Sequence, residues 1–237
     1  MRDLRKALFA ALFSSLLGTA QAEGPSAASA ELPDSRTASV QSKVDELFES
    51  GEFERAYFIY RNELAPIGDK YAQYMVGYMH LMGMGVEEDT VRASAWYRLA
   101  AERGYPEFVS IRKQVLKSLD DEGLQRSDAK YIQLRQQYSD LVLSMRQLRR
   151  DYDELSAPKT GSRLPGRGGP VMTIYPTRPA GTTGESYYRK MELRFQTRLD
   201  YVTDTLGIER LTGQVTKKSL RELQDQVEEH VSRIDDR

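Results

Sequence analysis

Apolar and polar positions change rhythm several times along this chain, and each change marks an expected element boundary. From Val40 the apolar residues recur at helical spacing. Val44, Leu47 and Phe48 share one face, and Gly51 ends the run. A second helical stretch covers about 53–64 with Ala56, Tyr57, Ile59 and Tyr60, closed by Pro66 and Gly68. A third covers about 70–81 and is broken at Gly83-Met84-Gly85-Val86. A fourth covers about 90–103 and is stopped by Gly104 and Pro106. Two helix–turn–helix units in succession predict an α-solenoid. A further helix over 107–119, carrying Phe108, Ile111, Val115 and Leu119, is expected to cap the open end of the stack, with Asp120–Gly123 a turn. The helical-repeat domain is therefore placed at 40–120.

Beyond it the pattern lengthens. Tyr131, Leu134, Tyr138, Leu141, Met145, Leu148, Tyr152 and Leu155 follow one another at alternating steps of three and four, which predicts one long amphipathic helix over 127–155. Residues 156–185 hold Pro158, Pro165, Pro170, Pro176 and Pro179 among many glycines, so no helix is expected there. This segment carries Lys159, Arg163, Arg167 and Arg178 with no acid before Glu185. It reads as a Gly/Pro-rich basic linker in which 171–175 is a short extended piece. Helical stripes return over 186–237, first Tyr187, Met191, Phe195, Leu199 and Val202, then Leu220, Leu223, Val227, Val231 and Ile234. These stripes can pair with the 127–155 stripe as a bundle or coiled-coil hairpin, or 127–155 can self-associate with a second copy. The fold class expected is all-α: a short helical-repeat solenoid followed by long heptad-patterned helices.

The N-terminus has a different logic. Arg2, Arg5 and Lys6 precede an apolar run from Ala7 to Gly18, and Ala20-Gln21-Ala22 offers small residues for cleavage. The run is shorter than the roughly 20 residues a bilayer-spanning helix needs. Residues 1–22 are therefore expected to be a cleaved secretory signal, with cleavage after Ala22. Residues 23–39, rich in Ala, Ser, Pro and Glu, are expected to be a flexible leader. The mature chain is expected in the periplasm, or secreted, with no stable membrane insertion.

The residues of the third and fourth helices carry a family resemblance. Ala72-Gln73-Tyr74-Met75-Val76-Gly77, then Gly83-x-Gly85-Val86, Asp89, Ala93-x-x-Trp96-Tyr97 and Ala100-Ala101-Glu102-x-Gly104 resemble one Sel1-like repeat, a relative of the tetratricopeptide repeats. His80 departs from the pattern, standing where the family usually has an aromatic. The unit upstream, about 40–68, resembles the repeat in helical layout and lacks its Gly-x-Gly-Val turn. The resemblance implies an antiparallel helix pair stacked on its neighbours and a role in contacts between proteins. On physical grounds Ala72, Gly77, Ala93 and Ala100 let helices approach, Tyr74, Val76, Trp96 and Tyr97 fill the space around them, Gly83 and Gly85 permit the tight turn, and Asp89 caps the fourth helix, while Ala101 and Gly104 are further positions of the repeat pattern.

Composition narrows the function. The 237 residues contain no cysteine and only two histidines, His80 and His230, which removes disulfides, thiolate chemistry and His-rich metal clusters from consideration. No cofactor and no catalytic residue is expected. Net charge is −1; without Arg2, Arg5, Lys6 and Asp3 it is 31 basic against 34 acidic residues, or −3, so nothing recruits nucleic acid. The glycines and arginines of 161–169 lack the order of a phosphate-binding loop. Tyrosine is the suggestive residue, with 14 in the chain. Tyr and Arg are favoured at binding hot spots. The candidate protein-binding residues are Tyr57, Tyr60, Tyr71 and Tyr78, less constrained by the repeat pattern, with Arg163 and Arg167 in the basic segment. The expected function is an exported, non-catalytic protein–protein scaffold or adaptor of the bacterial envelope, its envelope partners unidentified. The alternatives are a cell-wall-binding module and a self-assembling coiled coil.

Overall fold

The computed structural model describes residues 35–156, 173–174, 182–209 and 215–234. The expected signal, most of the leader, and Arg163, Arg167 and the rest of the basic segment around them lie outside the described residues. What is described is helical. The exception is a two-residue antiparallel pair, Thr173–Ile174 (β1) with Thr182–Thr183 (β2), in which Thr173 faces Thr183 and Ile174 faces Thr182.

Three helix pairs stack first. The helices of the first pair are α1 (Ser35–Glu49) and α2 (Phe53–Ile59). The second helix of this pair is continued by a π-turn over Tyr60–Leu64 and a 3-10 turn over Ala65–Ile67. The second pair is α3 (Lys70–Met82) and α4 (Thr90–Ala100), with α4 extended by a 3-10 turn over Ala101–Arg103. The third is α5 (Pro106–Lys117) and α6 (Asp121–Tyr138). Local chemistry sets these bounds. Asp69 accepts the amide of Ala72 at 2.9 Å, Asp89 that of Arg92 at 2.8 Å, and Asp120 that of Gly123 at 2.7 Å, so each aspartate caps the helix that follows it. Asp120–Gly123, expected as a turn, is therefore a cap and the first turn of α6. Pro106 opens α5 at a position where its missing amide costs nothing.

The second helices of the first two pairs end alike, each in a 3-10 turn closed by a glycine in the left-handed region, Gly68 at φ 87° and Gly104 at φ 74°. These glycines are 36 residues apart (104 − 68). The next such interval ends at residue 140, and α6 stops at Tyr138. The solenoid thus has three units and ends near Ser139, not at residue 120.

Ser139 divides the stretch 127–155 into two helices, a correction to the single long helix expected there. Its extended ψ of 150° ends α6, and its hydroxyl accepts the Val142 amide at 3.3 Å to begin α7 (Asp140–Ser156). The apolar stripe changes partners at this point. Tyr131, Leu134 and Tyr138 pack into the solenoid core with Trp96, Tyr97 and Leu99. Leu141, Met145, Leu148 and Tyr152 pack into a second core with Leu199, Val202, Leu220, Leu223, Val227 and Val231. That second core is a bundle of α7, α8 (Gly184–Leu206) and α9 (Lys217–Val231). Within the stripe Tyr131, Leu141, Met145 and Leu148 are buried, and Leu134, Tyr138, Tyr152 and Leu155 are half-buried. Both α8 and α9 run antiparallel to α7. Tyr187 meets Glu154, and Tyr152 meets Phe195. Lys217 lies near Asp153, Gln224 meets Arg149, and Ser232 meets Gln136 on α6.

A buried ionic junction sets the bundle against the solenoid. Arg103 at the end of the second unit grips Asp140 with two bonds, at 2.7 and 2.9 Å. Lys70 at the start of α3 donates to Glu102 at 2.7 Å and lies 3.3 Å from Asp140. Glu102 also accepts the Asp140 amide at 3.1 Å. Burial pushes the Asp140 carboxyl up, but its bonds to Arg103 and the nearby Lys70 charge outweigh it and hold the group below its ordinary value. A second buried pair, Arg98 with Asp128 at 2.6 Å, ties α4 to α6, with Arg98 lying over the Tyr131 ring at 4.1 Å.

Candidate protein-binding surface

The residues that carry the repeat pattern are used in packing. Ala72, Ala93, Tyr97 and Ala100 are fully buried, and Trp96 and Ala101 nearly so. A Cβ on Gly77 would sit 3.1 Å from the Tyr97 ring, so only a hydrogen there lets α3 and α4 approach this closely. Gly85, at φ 68°, presses against the start of α2. A Cβ there would come within 2.6 Å of the Glu54 amide nitrogen, and nearer still to the Phe53 carbonyl. The turn of the second pair is thereby seated on the first pair.

The four candidate tyrosines separate into two groups. Tyr60 and Tyr78 are core residues. The Tyr60 hydroxyl donates to Asp45 at 2.7 Å, and Tyr78 tilts against Phe48 with ring centres 6.1 Å apart. Neither offers contact area to a partner, which corrects the reading of both as groove residues. Tyr57 and Tyr71 are half-buried and reach the surface. Tyr71 belongs to an aromatic series across the three pairs: it meets Tyr60 edge-on at 6.4 Å and stacks on Tyr74 at 6.5 Å, and Tyr74 stacks on Phe108 at 5.2 Å. Burial, then the charges of Asp45 and Asp69, push the Tyr71 hydroxyl up to about 12, so it is a neutral donor at any physiological pH.

The surface of α2 carries an exposed aromatic side chain. Phe58 is 60% exposed, and Tyr57 lies beside it. Phe58 did not stand out in the sequence, although a signal existed. It lies off the stripe of Ala56, Tyr60 and Leu64, so a large apolar side chain there has to face solvent. One turn on, Arg61 lies 5.0 Å over the Trp96 ring and 5.2 Å over Tyr138, and donates to the Tyr138 hydroxyl at 3.0 Å. This arrangement joins all three pairs under the α2 surface. Below Tyr57, its hydroxyl and Nε2 of His80 are 3.1 Å apart. Among the described residues no group of three or more His, Asp or Glu is placed to hold a metal ion, and no helix is long and apolar enough to cross a membrane.

Stacked helix pairs, the first two closed by matching glycine turns 36 residues apart, define a helical-repeat protein. The particular repeat is Sel1: residues 70–105, which are α3, its turn and α4 with its 3-10 end, match the Sel1 repeat family model. A Sel1 repeat is a protein–protein interaction module. No curated protein and no solved structure matches the chain.

Proposed function

We propose that the protein is an exported, non-catalytic scaffold of the bacterial envelope, holding a protein partner on the α2 surface of its solenoid. The observation that carries this reading is the division of labour in the repeat. Its pattern residues are consumed by packing, while Phe58 faces outward, with half-buried Tyr57 beside it, on a surface braced by Arg61, Trp96 and Tyr138. An exposed phenylalanine on a rigid helical support suits an apolar pocket or groove on another protein. The buried charged groups, Asp140, Asp128, Lys70 and Arg98, are engaged with one another, which is the behaviour of structural pairs. Export rests on the three-part pattern of residues 1–22.

Two measurements test the two halves. In-cell crosslinking of the tagged chain in its native host, followed by mass spectrometry, is expected to capture an envelope protein. Capture is expected to be lost in Phe58→Ala, a variant whose melting should stay near wild type because Phe58 faces solvent. Undiminished capture by that variant would refute the α2 surface as the docking site. N-terminal sequencing of the cell-fraction product is expected to begin at Glu23, and a product retaining Met1 would refute export.

A further inference from the structure

His80 sits in the last turn of α3, only 2% exposed, and its environment suits a neutral ring better than a charged one. The Tyr57 ring meets it edge-on at 5.5 Å, with the hydroxyl 3.1 Å from Nε2. Nδ1 is buried and completes no hydrogen bond, although the backbone of Glu87 lies against the ring. The groups that act on it, by contact or by charge, come from every neighbouring element. They are Tyr57 from α2, Arg61 from the π-turn, Glu87 and Asp89 from the connecting turn, and Arg92 from α4. With its proton on Nδ1, toward the Glu87 backbone, the neutral ring can accept the Tyr57 hydroxyl proton at Nε2.

A proton taken from solvent has one place to bind, the Nε2 lone pair. Nε2–H then becomes a donor pointing at the Tyr57 oxygen, and the hydroxyl hydrogen must turn away from it. The new cation is buried, with Arg61 and Arg92 repelling it and only the Glu87 backbone and Asp89 favouring it. Moving α2 away from α3 admits water to the ring and removes that penalty. We propose that His80 is a proton-operated latch holding α2, with its Tyr57 and Phe58 surface, against α3, and that acidification releases it. The latch does not depend on which partner the α2 surface takes, or on export.

The direction of the effect follows from linkage. Burial holds the His80 pKa below its ordinary 6.5; the Glu87 backbone and Asp89 counter this in part, while Arg92 and Arg61 add to it. Well above pH 6.5 the open and closed forms are both neutral at this site, and the closed form has its full stability. As pH falls from there, the open form takes a proton that the closed form refuses. The closed population relative to the open one then drops by up to about tenfold per pH unit, until His80's own lower value is reached.

The test uses the full chain carrying His230→Gln, which leaves one histidine resonance to follow. Hydrogen exchange between pH 7.5 and pH 5, corrected for the intrinsic pH dependence of exchange, is compared for peptides of α2 and of the α7–α9 bundle. The expected result is a loss of α2 protection approaching tenfold per pH unit below pH 6.5, with bundle peptides unchanged and His80 titrating below 6.5. His80→Phe, which fills the space without a titrating nitrogen, is expected to abolish the α2 loss. Flat α2 protection, equal losses in solenoid and bundle, or an undiminished loss in His80→Phe would each overturn the proposal. Should His80→Phe not fold, the wild-type titration decides alone, because a His80 pKa at or above 6.5 overturns it.

Discussion

Replacing Gly85 by alanine tests whether the Gly-x-Gly turn holds the first and second helix pairs together. The cost has two parts. Gly85 has φ 68°, where an L-residue is disfavoured by roughly 1–2 kcal/mol. The new methyl would also fall 2.6 Å from the Glu54 amide nitrogen and closer to the Phe53 carbonyl, and all of these are main-chain atoms that no rotamer change can move. Overpacking of that kind costs roughly 1–3 kcal/mol. The sum is about 2–5 kcal/mol. Gly104→Ala is the matched control. Its φ of 74° is nearly the same, yet a Cβ there meets nothing within 4 Å, so it should lose only the conformational part, about 1–2 kcal/mol. Urea denaturation followed by circular dichroism gives both values, and hydrogen exchange shows where each variant loosens. Gly85→Ala should lose protection first in α1 and α2. Equal costs at the two glycines, within about 0.5 kcal/mol, would show that the turn does not rest on α2 in solution and would refute the stacking argument.

Trp96→Ala should cost roughly 3–5 kcal/mol, because Trp96 is nearly buried and supports both Arg61 and Tyr138; an unchanged melt would place it outside the core. Leu148→Lys puts a charge at a fully buried bundle position and should melt α7–α9 while the solenoid persists; unchanged helicity would contradict the second core. Asp140→Asn should remove a stabilisation that wild type has in full above its ordinary pKa of 3.8 and loses as pH falls through the lower native value, so wild type and variant should converge in acid denaturation below about pH 4. A gap that stays constant from pH 6 to pH 2 would show that the Arg103–Asp140 grip is not electrostatic.

Sequence reasoning locates α3, α4 and the turn between them, because the boundaries there have their own chemistry in the adjacent residues: Asp89 as a cap, Gly83 and Gly104 as stops. It did not locate the break at Ser139. No proline or glycine marks that point, and the step from Tyr138 to Leu141 keeps the heptad spacing, so the stripe looks continuous. Nor did it separate Tyr57 and Tyr71 from Tyr60 and Tyr78. All four are tyrosines on helices, and their exposure is decided by where Asp45, Phe48 and His80 arrive from other elements. The junction of Lys70, Glu102, Arg103 and Asp140 was invisible for the same reason: its members are more than 30 residues apart except for one adjacent pair, and each alone reads as a surface charge.

The break at Ser139 follows from the repeat. A helix of 29 residues from 127 would keep all its apolar positions on one line and could serve only one core. The 36-residue spacing of Gly68 and Gly104 ends a third unit near residue 140, so the solenoid needs the chain to finish packing there. The bundle, in turn, needs Leu141, Met145 and Leu148 to face α8 and α9. Changing direction at a residue that caps the next helix with its own hydroxyl satisfies both cores, at the cost of the hydrogen bonds of one interrupted turn. Where the first two units end in glycine, the third ends in Ser139-Asp140, and Asp140 binds the Arg103 that precedes Gly104. The end of the second unit therefore grips the end of the third, and the bundle inherits its orientation from the repeat, since α7 starts at the gripped residue.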